Sequence, residues 1–456
     1  MTTTLTFLGG AGTVTGSKFL VTVGERRILV DAGMFQGEKD LRRINWADFP
    51  VSPDTITDVL LTHAHLDHVG HLPVLVKAGF AGPVWCTAYT KDLARIVLRD
   101  AGFLQERDAE DARLGGWSKH AKPLPLYDSG DVERTLPLLT PVDYDRDLDL
   151  GGGVTARWTR AGHILGAASI RIGTPDGSVL VSGDLGRVDH PVLRSRDTPE
   201  GAEIVLVEST YGDREHPSSD NEVLADAVRR TVGRGGVVLI PAFAVDRTEL
   251  VLLTLGRLMT EERIPDVPVY VDSPMAVRTL EVYQRHLADA EHLPPGLDVR
   301  HFGIPDLRIV RDAAQSEALN RPGHSCIIIS ASGMATGGRV LHHLRHQLPS
   351  RRNCVVLTGY QAAGTRGRSL VEGTRQVKIH GRYVPVKADI VVEEGFSVHA
   401  DASELVEWVG RLPSPPETVY CVHGEPGPSQ ALADRIEDEL EWIAVVPRYR
   451  ERVRLD

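Results

Sequence analysis

Short apolar runs separated by polar turns dominate the first 210 residues. "LTFLGG", "KFLVTVG", "RRILVDAG" and "TDVLLTHAH" read as strands, and a helix is predicted over about 72–79. "PVWCTA" reads as another strand, followed by a long helix through "KDLARIVLRDAGFLQERDAEDARLGG". "VTARWTRAGH", "ASIRIGT", "SVLVSGD" and "EIVLVEST" complete a strand-rich segment with helices interspersed. This density predicts a sheet sandwich flanked by helices.

After Tyr211 the rhythm changes to regular alternation of helix and continuous apolar strand, from "NEVLADAVRRTVGRGG" and "VVLIPAF" through "GRVLHHLRHQL" and "NCVVLTGY". Strands apolar on both faces and separated by helices predict a parallel, doubly wound sheet. Beyond Arg368 the chain returns to strand-rich text, "QVKIHGRYVPVKADIVV", then a helix after Asp401, the strand "TVYCVHG" and a terminal helix. The expected organisation is a first domain over 1–210 and 369–456, interrupted by an inserted domain over 211–368.

The chain has 456 residues, 42% of them hydrophobic, and a formal net charge of −11. That balance argues against a protein that coats nucleic acid indiscriminately. It does not exclude a local basic groove: between Arg339 and Lys387 ten Lys or Arg stand against one acid, Glu372. The N-terminus lacks the pattern of a secretory signal, and no stretch approaches the ~20 apolar residues of a membrane span. Cys86, Cys326, Cys354 and Cys421 are far apart and without a CxxC pair, as in a reducing compartment. A cytoplasmic location with no membrane partner is therefore expected.

The chemistry concentrates in "LTHAHLDHVGHLP". His63 and His65 follow a strand and, two apart, share a face, so both imidazoles can reach one ion. Asp67 and His68 come where the loop turns into a helix and can serve a second ion. Nitrogen and carboxylate ligands without cysteine favour zinc, with manganese or iron as alternatives. Four ligands cannot fill two sites. His163 in "RAGHILG", Asp184 in "VSGDLG" and His423 in "YCVHGE" stand at strand ends as the missing ones, and an Asp can bridge two cations. Asp31 in "ILVDAG" is placed to orient a ligand histidine from behind. Two glycine-rich stretches differ in meaning. "GGAGTVTGS" precedes a strand pattern, where a dinucleotide fingerprint requires a helix. "SASGMATGGR" lies between a strand and a helix, where backbone N–H groups suit a phosphate.

"THAHLDHVG", with "VDAG" before it and "GH" and "SGD" after, resembles the metallo-β-lactamase superfamily. The interruption between "VEST" and "GFSVHAD", followed by "CVHGE", resembles its β-CASP branch of nucleases, in the compact bacterial form. The resemblance covers nearly the whole chain. It implies an α/β fold: an αββα metallo-β-lactamase sandwich with an inserted doubly wound parallel-sheet β-CASP domain. It further implies two Zn²⁺ per chain, one on His63, His65 and His163, the other on Asp67, His68 and His423, with Asp184 bridging. Glu208 and His399 match the blocks special to this branch, an acid pairing with a histidine that reaches the scissile phosphate; Asp67 completes the implied catalytic set. His71 matches a position the motif leaves variable and is expected to be a bystander. Histidine at 423 favours RNA over DNA.

The implied activity is RNA hydrolysis by a hydroxide activated between two metals, leaving 5′-phosphate and 3′-hydroxyl ends. The implied partner is single-stranded RNA, and assembly as a homodimer stays open. So does the choice between endonuclease and 5′-exonuclease. Ser330, Ser332, Gly333, Thr336, Arg366 and Arg368 are the expected contacts to RNA phosphates. Two rivals are a small-molecule metallo-hydrolase acting on a thioester or lactone, which would need no domain-sized insertion, and a catalytically inactive RNA-processing scaffold, which would not need every ligand intact.

Overall fold

A computed structural model describes residues 2–116, 118, 120, 122–216, 220–286 and 302–455. Two seven-stranded sheets face each other. The first runs in the order Arg452–Leu455, Thr3–Phe7, Phe19–Val23, Arg26–Val30, Asp58–Leu60, Val84–Thr87, Leu139–Val142. The second runs Ala444–Val445, Thr418–Val422, Ile204–Glu208, Gly177–Val181, Ala168–Thr174, Val154–Arg160, Leu148–Gly151. The C-terminal segment thus pairs with the N-terminal strand in the first sheet and with Ile204–Glu208 in the second, which is how it rejoins the first domain.

Alternation along each strand sorts side chains between two cores. Phe19, Val21 and Val23 join Ile204, Leu206, Trp158 and Ile170 in the layer between the sheets. Their neighbours Leu20, Val205 and Val207 turn outward to a second core shared with the helices. The long helix Ala88–Gly115 belongs to that outer layer, buries Leu93, Val97 and Leu98, and is capped by Thr87, whose hydroxyl accepts from Thr90 N. It ends on Gly116 at φ 64°, a left-handed conformation that glycine adopts without strain.

The inserted unit is a six-stranded parallel sheet in the order Leu307–Ile309, Val269–Val271, Cys326–Ser330, Val237–Pro241, Cys354–Leu357, Asp389–Val392. Its last strand corrects the expected boundary at Arg368. Asp389–Val392 pairs in parallel with Cys354–Leu357, and Gln376–Ile379 with Arg382–Pro385 forms a separate hairpin. Both therefore lie outside the sandwich, which the chain re-enters only after Val392. "ADIVV" is as apolar as a sandwich strand, so its sheet is decided by its pairing partner rather than by its pattern. All four cysteines are buried and free. Among the described residues no helix is long and apolar enough to cross a membrane.

A buried polar link joins the two domains. His190 Nδ1 accepts from Val192 N and Leu193 N, so the ring proton sits on Nε2 and is donated to Asp246 Oδ2 at 3.0 Å. Tyr283, on the helix Pro274–His286, donates to Asp246 Oδ1 at 3.0 Å and accepts from Leu165 N at 3.3 Å. His190 and Leu165 belong to the sandwich, Asp246 and Tyr283 to the insertion. Tyr283→Phe should lower the unfolding free energy by about 1–2 kcal/mol, since it leaves a buried N–H and a carboxylate oxygen each short of a partner. A urea midpoint equal to the parent's would show that this link does not hold the domains.

Candidate metal centre

The stretch that opens the site is local. Strand Asp58–Leu60 ends, His63 and His65 follow with Ala64 buried between them, and His65 is the N-cap of the one-turn helix Leu66–Val69, which carries Asp67 and His68. Gly33 lets the loop after Arg26–Val30 lie against this turn, because a Cβ there would stand 1.5 Å from the Asp67 carbonyl oxygen. Asp184, Glu208 and His423 come from the ends of three adjacent strands of the second sheet, and His163 follows Val154–Arg160, one intervening strand further along it.

Two groups of ligand-type atoms result: His63, His65, His163 and Asp184, and Asp67, His68 and His423. In the first, His65 Nδ1 stands 3.1 Å from His63 Nε2 and 3.2 Å from His163 Nε2. Asp184 Oδ2 is 3.5 Å from both Nε2 atoms. In the second, Asp184 Oδ1 is 3.3 Å from His68 Nε2 and 3.6 Å from His423 Nε2, which is itself 3.9 Å from Asp67 Oδ2. Each oxygen of Asp184 thus faces one group. Ligands held at about 2.0–2.1 Å from a tetrahedral ion stand about 3.3 Å apart, so the first group has the spacing of a zinc-type site. His68 Nε2 and Asp184 Oδ1 are buried polar atoms with no hydrogen-bond partner. A shared divalent cation would satisfy both, and on these grounds the residues fit two ions.

The remaining nitrogens are fixed from behind. Asp31 Oδ2 lies 2.7 Å from His68 Nδ1 and also accepts from the Thr62 hydroxyl, while Oδ1 accepts from Thr62 N. The Ser17 hydroxyl is 2.6 Å from His423 Nδ1. Both contacts leave Nε2 as the ligand atom. Burial pushes His63 and His163 well below the usual imidazole range and His65 and His423 to about 3, which keeps these rings neutral, as metal ligands must be. Burial works against the charge of Asp184, but His423, His68 and His63 outweigh it and hold the carboxyl well below its usual range. His71 stands apart. Its Nε2 donates to the Asn45 carbonyl at 3.2 Å, and its ring stacks on Phe49.

Glu208 and His399 meet beside this cluster. Glu208 is fully buried; its two oxygens lie 3.1 and 3.0 Å from His399 Nδ1, and Oε1 also accepts from Leu185 N at 2.7 Å. Burial disfavours the imidazolium, yet Glu208 outweighs it and raises the histidine on balance. The His399 backbone is fastened by a bridge to Gly186 and by His216 Nε2 donating to its carbonyl at 2.8 Å. With Nδ1 held by the carboxylate, Nε2 is the free end of the ring.

All of this opens into a cavity of about 320 Å³ between the domains, lined by His65, Asp67, His163, Asp184, His399 and His423 on one side. The insertion supplies the other wall, and there the expected phosphate contacts separate. Ser332 and Thr336 line the cavity. Ser330 does not, because its buried hydroxyl donates to the Asp272 carbonyl. Gly333 serves packing: a Cβ there would meet Phe243 at 2.7 Å. Arg366 donates to the carbonyls of Lys378, Ala335 and Thr336, and Arg368 pairs with Glu372 and donates to the Gln361 carbonyl. Arg247 and Arg339 line the cavity instead. Their placement at helix starts just past the C-terminal ends of parallel strands was the available signal, since ligands of such sheets bind there. Ser17 had none: it ends "GGAGTVTGS", the glycine-rich stretch that the following strand pattern excludes as a dinucleotide loop.

Three family models match in succession: the metallo-beta-lactamase superfamily over residues 11–242, the Beta-Casp domain over 248–370, and a Zn-dependent metallo-hydrolase RNA specificity domain over 383–447. Ribonuclease TTHA0252 of Thermus thermophilus is 39% identical over 91% of this chain and 92% of its own. Transcription termination factor FttA of Methanosarcina mazei is 31% identical over 99% of this chain and 71% of its own. An RNase J-like protein of Methanocaldococcus jannaschii is 28% identical, with 97% of each chain covered. A solved protein of unknown function from Enterococcus faecalis shares the fold at a TM-score of 0.53 and 14% identity over the whole of both chains. With the bridged histidine–aspartate cluster, the inserted parallel sheet and these matches together, the chain belongs to the metallo-β-lactamase superfamily, in its β-CASP branch, and is an enzyme of that divalent-metal-binding hydrolase family.

Proposed function

We propose that the protein is a zinc ribonuclease that hydrolyses single-stranded RNA at phosphodiester bonds, leaving 5′-phosphate and 3′-hydroxyl ends, in the cytoplasm. The observation that carries this reading is the pairing of a doubly faced Asp184 with the adjacent Glu208–His399 couple in one interdomain cavity. A metal cluster alone would serve any hydrolase of the superfamily. The added acid–histidine couple and a facing wall that carries Ser332, Thr336 and Arg339 suit a phosphodiester. The names of the ribonuclease and RNase J-like relatives favour RNA.

In this reading His63, His65 and His163 hold one ion, Asp67, His68 and His423 the other, and Asp184 both. Two divalent ions, if held by these residues, would lower the pKa of a bound water and screen the charge of the phosphate. Asp67, at the rim of the cavity, orients the attacking water as well as ligating. His399, whose proton Glu208 holds more tightly, offers its Nε2 proton to a non-bridging oxygen or to the departing 3′ oxygen. Ser332 and Thr336 hold the flanking phosphates together with Arg339, which also pairs with Asp272 at 2.6 Å, while Arg247, Arg366 and Arg368, each donating to a backbone carbonyl, act on RNA only through the loops they brace.

His399→Ala should retain two metal equivalents by elemental analysis while kcat on RNA falls by about 10²–10⁴-fold. His423→Ala should lose metal as well as activity. Full activity of the first variant would remove His399 from the chemistry. Asp31→Ala should weaken metal affinity by about 10–100-fold, measured by competition with a chelator, because His68 loses the partner that orients it. Finally, the purified protein should cleave labelled RNA, leave single-stranded DNA and a thioester largely intact, and stop on chelation. Thioester turnover without RNA cleavage would favour the small-molecule hydrolase, and inertness toward all three with metals bound would favour the scaffold.

A further inference from the structure

We infer that the hairpin Gln376–Ile379/Arg382–Pro385 is a second RNA-docking surface, outside the cavity, that grips the part of the strand the cavity cannot hold. This rests on the ribonuclease reading and deepens it.

The register sorts the hairpin into two faces. Val377 and Val384 pair directly and are buried against the insertion's core. Lys378 pairs with Tyr383 on the other face, where Tyr383 is 66% exposed and Lys378 Nζ sits 5.9 Å from the ring centroid. An aromatic ring this exposed contributes nothing to the core, and a strand that needed only solubility would carry a polar side chain there. Arg375, Lys378, Arg382 and Lys387 are all exposed, and among the described residues none of the four has an ion-pair partner. Elsewhere the surface is laced with pairs such as Arg99–Glu133, Arg146–Asp143 and Arg411–Glu407. Lys378 shares the face of Tyr383, Arg375, Arg382 and Lys387 flank it in the chain, and together they make a basic patch with an exposed ring in a chain of net charge −11. Backbone phosphates and a base stacked on a ring are the ligand that satisfies both features at once.

Position supports the same partner. Arg366 Nε donates to the Lys378 carbonyl at 2.8 Å, and its Nη1 donates to the carbonyls of Ala335 and Thr336 at 3.2 and 3.1 Å. Thr336 lines the cavity, so one guanidinium fastens the hairpin to the cavity rim. His380 in the hairpin turn packs on His342 at 4.8 Å between ring centroids, next to Arg366 and Arg345. The acids facing this surface are Asp108 and Asp111 of the long helix and Glu372, which Arg368 neutralises. A cavity of about 320 Å³ has the size of a small-ligand pocket, so most of any longer strand must lie on the outer surface.

The test is fluorescence anisotropy of the metal-loaded full chain with nuclease-resistant phosphorothioate RNA of about 30 and about 6 nucleotides. Tyr383→Ala should weaken binding of the longer RNA about fivefold. The double variant Lys378→Glu, Arg382→Glu should weaken it about tenfold at low salt and reduce the slope of log Kd against log salt by about 1.4, or roughly 0.7 per phosphate contact. Both variants should bind the short RNA as the parent does. Unchanged affinity for the longer RNA would overturn the docking role and leave a protein partner as the hairpin's occupant; so would equal losses on both lengths, or no RNA binding by the parent. Binding is read without turnover. A parent that binds RNA but fails to cleave an ordinary strand would sink the ribonuclease reading while leaving the hairpin comparison intact.

Discussion

The structure depends on one buried carboxylate. Asp184 is 2% exposed, and the ligand atoms of His63, His163, His68 and His423 stand within 3.6 Å of its two oxygens. A charge so placed is costly to bury unless cations and polar partners meet it from every side. Burial keeps His63, His163 and His423 neutral, with lone pairs to offer rather than charge, and only His68, raised by Asp184 and Asp31 against its burial, meets the carboxylate as a cation. Divalent ions held by these residues would meet both demands, and the loops keep the ligand atoms at that spacing. Gly33 brings the loop of Asp31 under the turn of Asp67, and Asp31 in turn fixes the ring of His68.

The sandwich makes such convergence possible. Parallel strands in each sheet end on the same side, so Asp31, His63, Glu208 and His423, distant in sequence, emerge at one edge. A metal cluster at the edge of a sandwich would be open to water. The insertion covers it, and the Asp246–Tyr283–Leu165 link fastens that cover two residues from His163. Domain contact and ligand geometry are therefore parts of one mechanical arrangement.

Much of this was legible in the chain. Short apolar runs between turn residues identified the sandwich strands, and the runs are continuous because such strands face a core on either side, as Val205 and Leu206 do. The cluster around His63 was legible because its ligands lie within one strand end and one helical turn, so local geometry alone brings them together. Asp31, His163, Asp184 and His423 could be picked out as polar residues at the ends of apolar strands. The pairing of Glu208 with His399 rested on family resemblance, since 191 residues separate them and neither carries a local signal.

What the sequence could not supply depends on partners it does not name. Asp389–Val392 reads as apolar strand either way, and only its hydrogen bonds to Cys354–Leu357 assign it to the inserted sheet. Arg366 and Arg368 look like free cations in a basic stretch, yet carbonyls and Glu372 engage them, while Arg375, Lys378 and Arg382 nearby stay open. Composition fixes how many charges a segment carries; packing decides which of them remain available. The sequence by itself determined the elements, the metal-binding residue types and their positions at strand ends, because those follow from local periodicity and chemistry. Tertiary structure alone decided which oxygen of Asp184 faces which histidines, that Ser17 holds His423, and which cations face outward, because each depends on atoms brought together from distant parts of the chain.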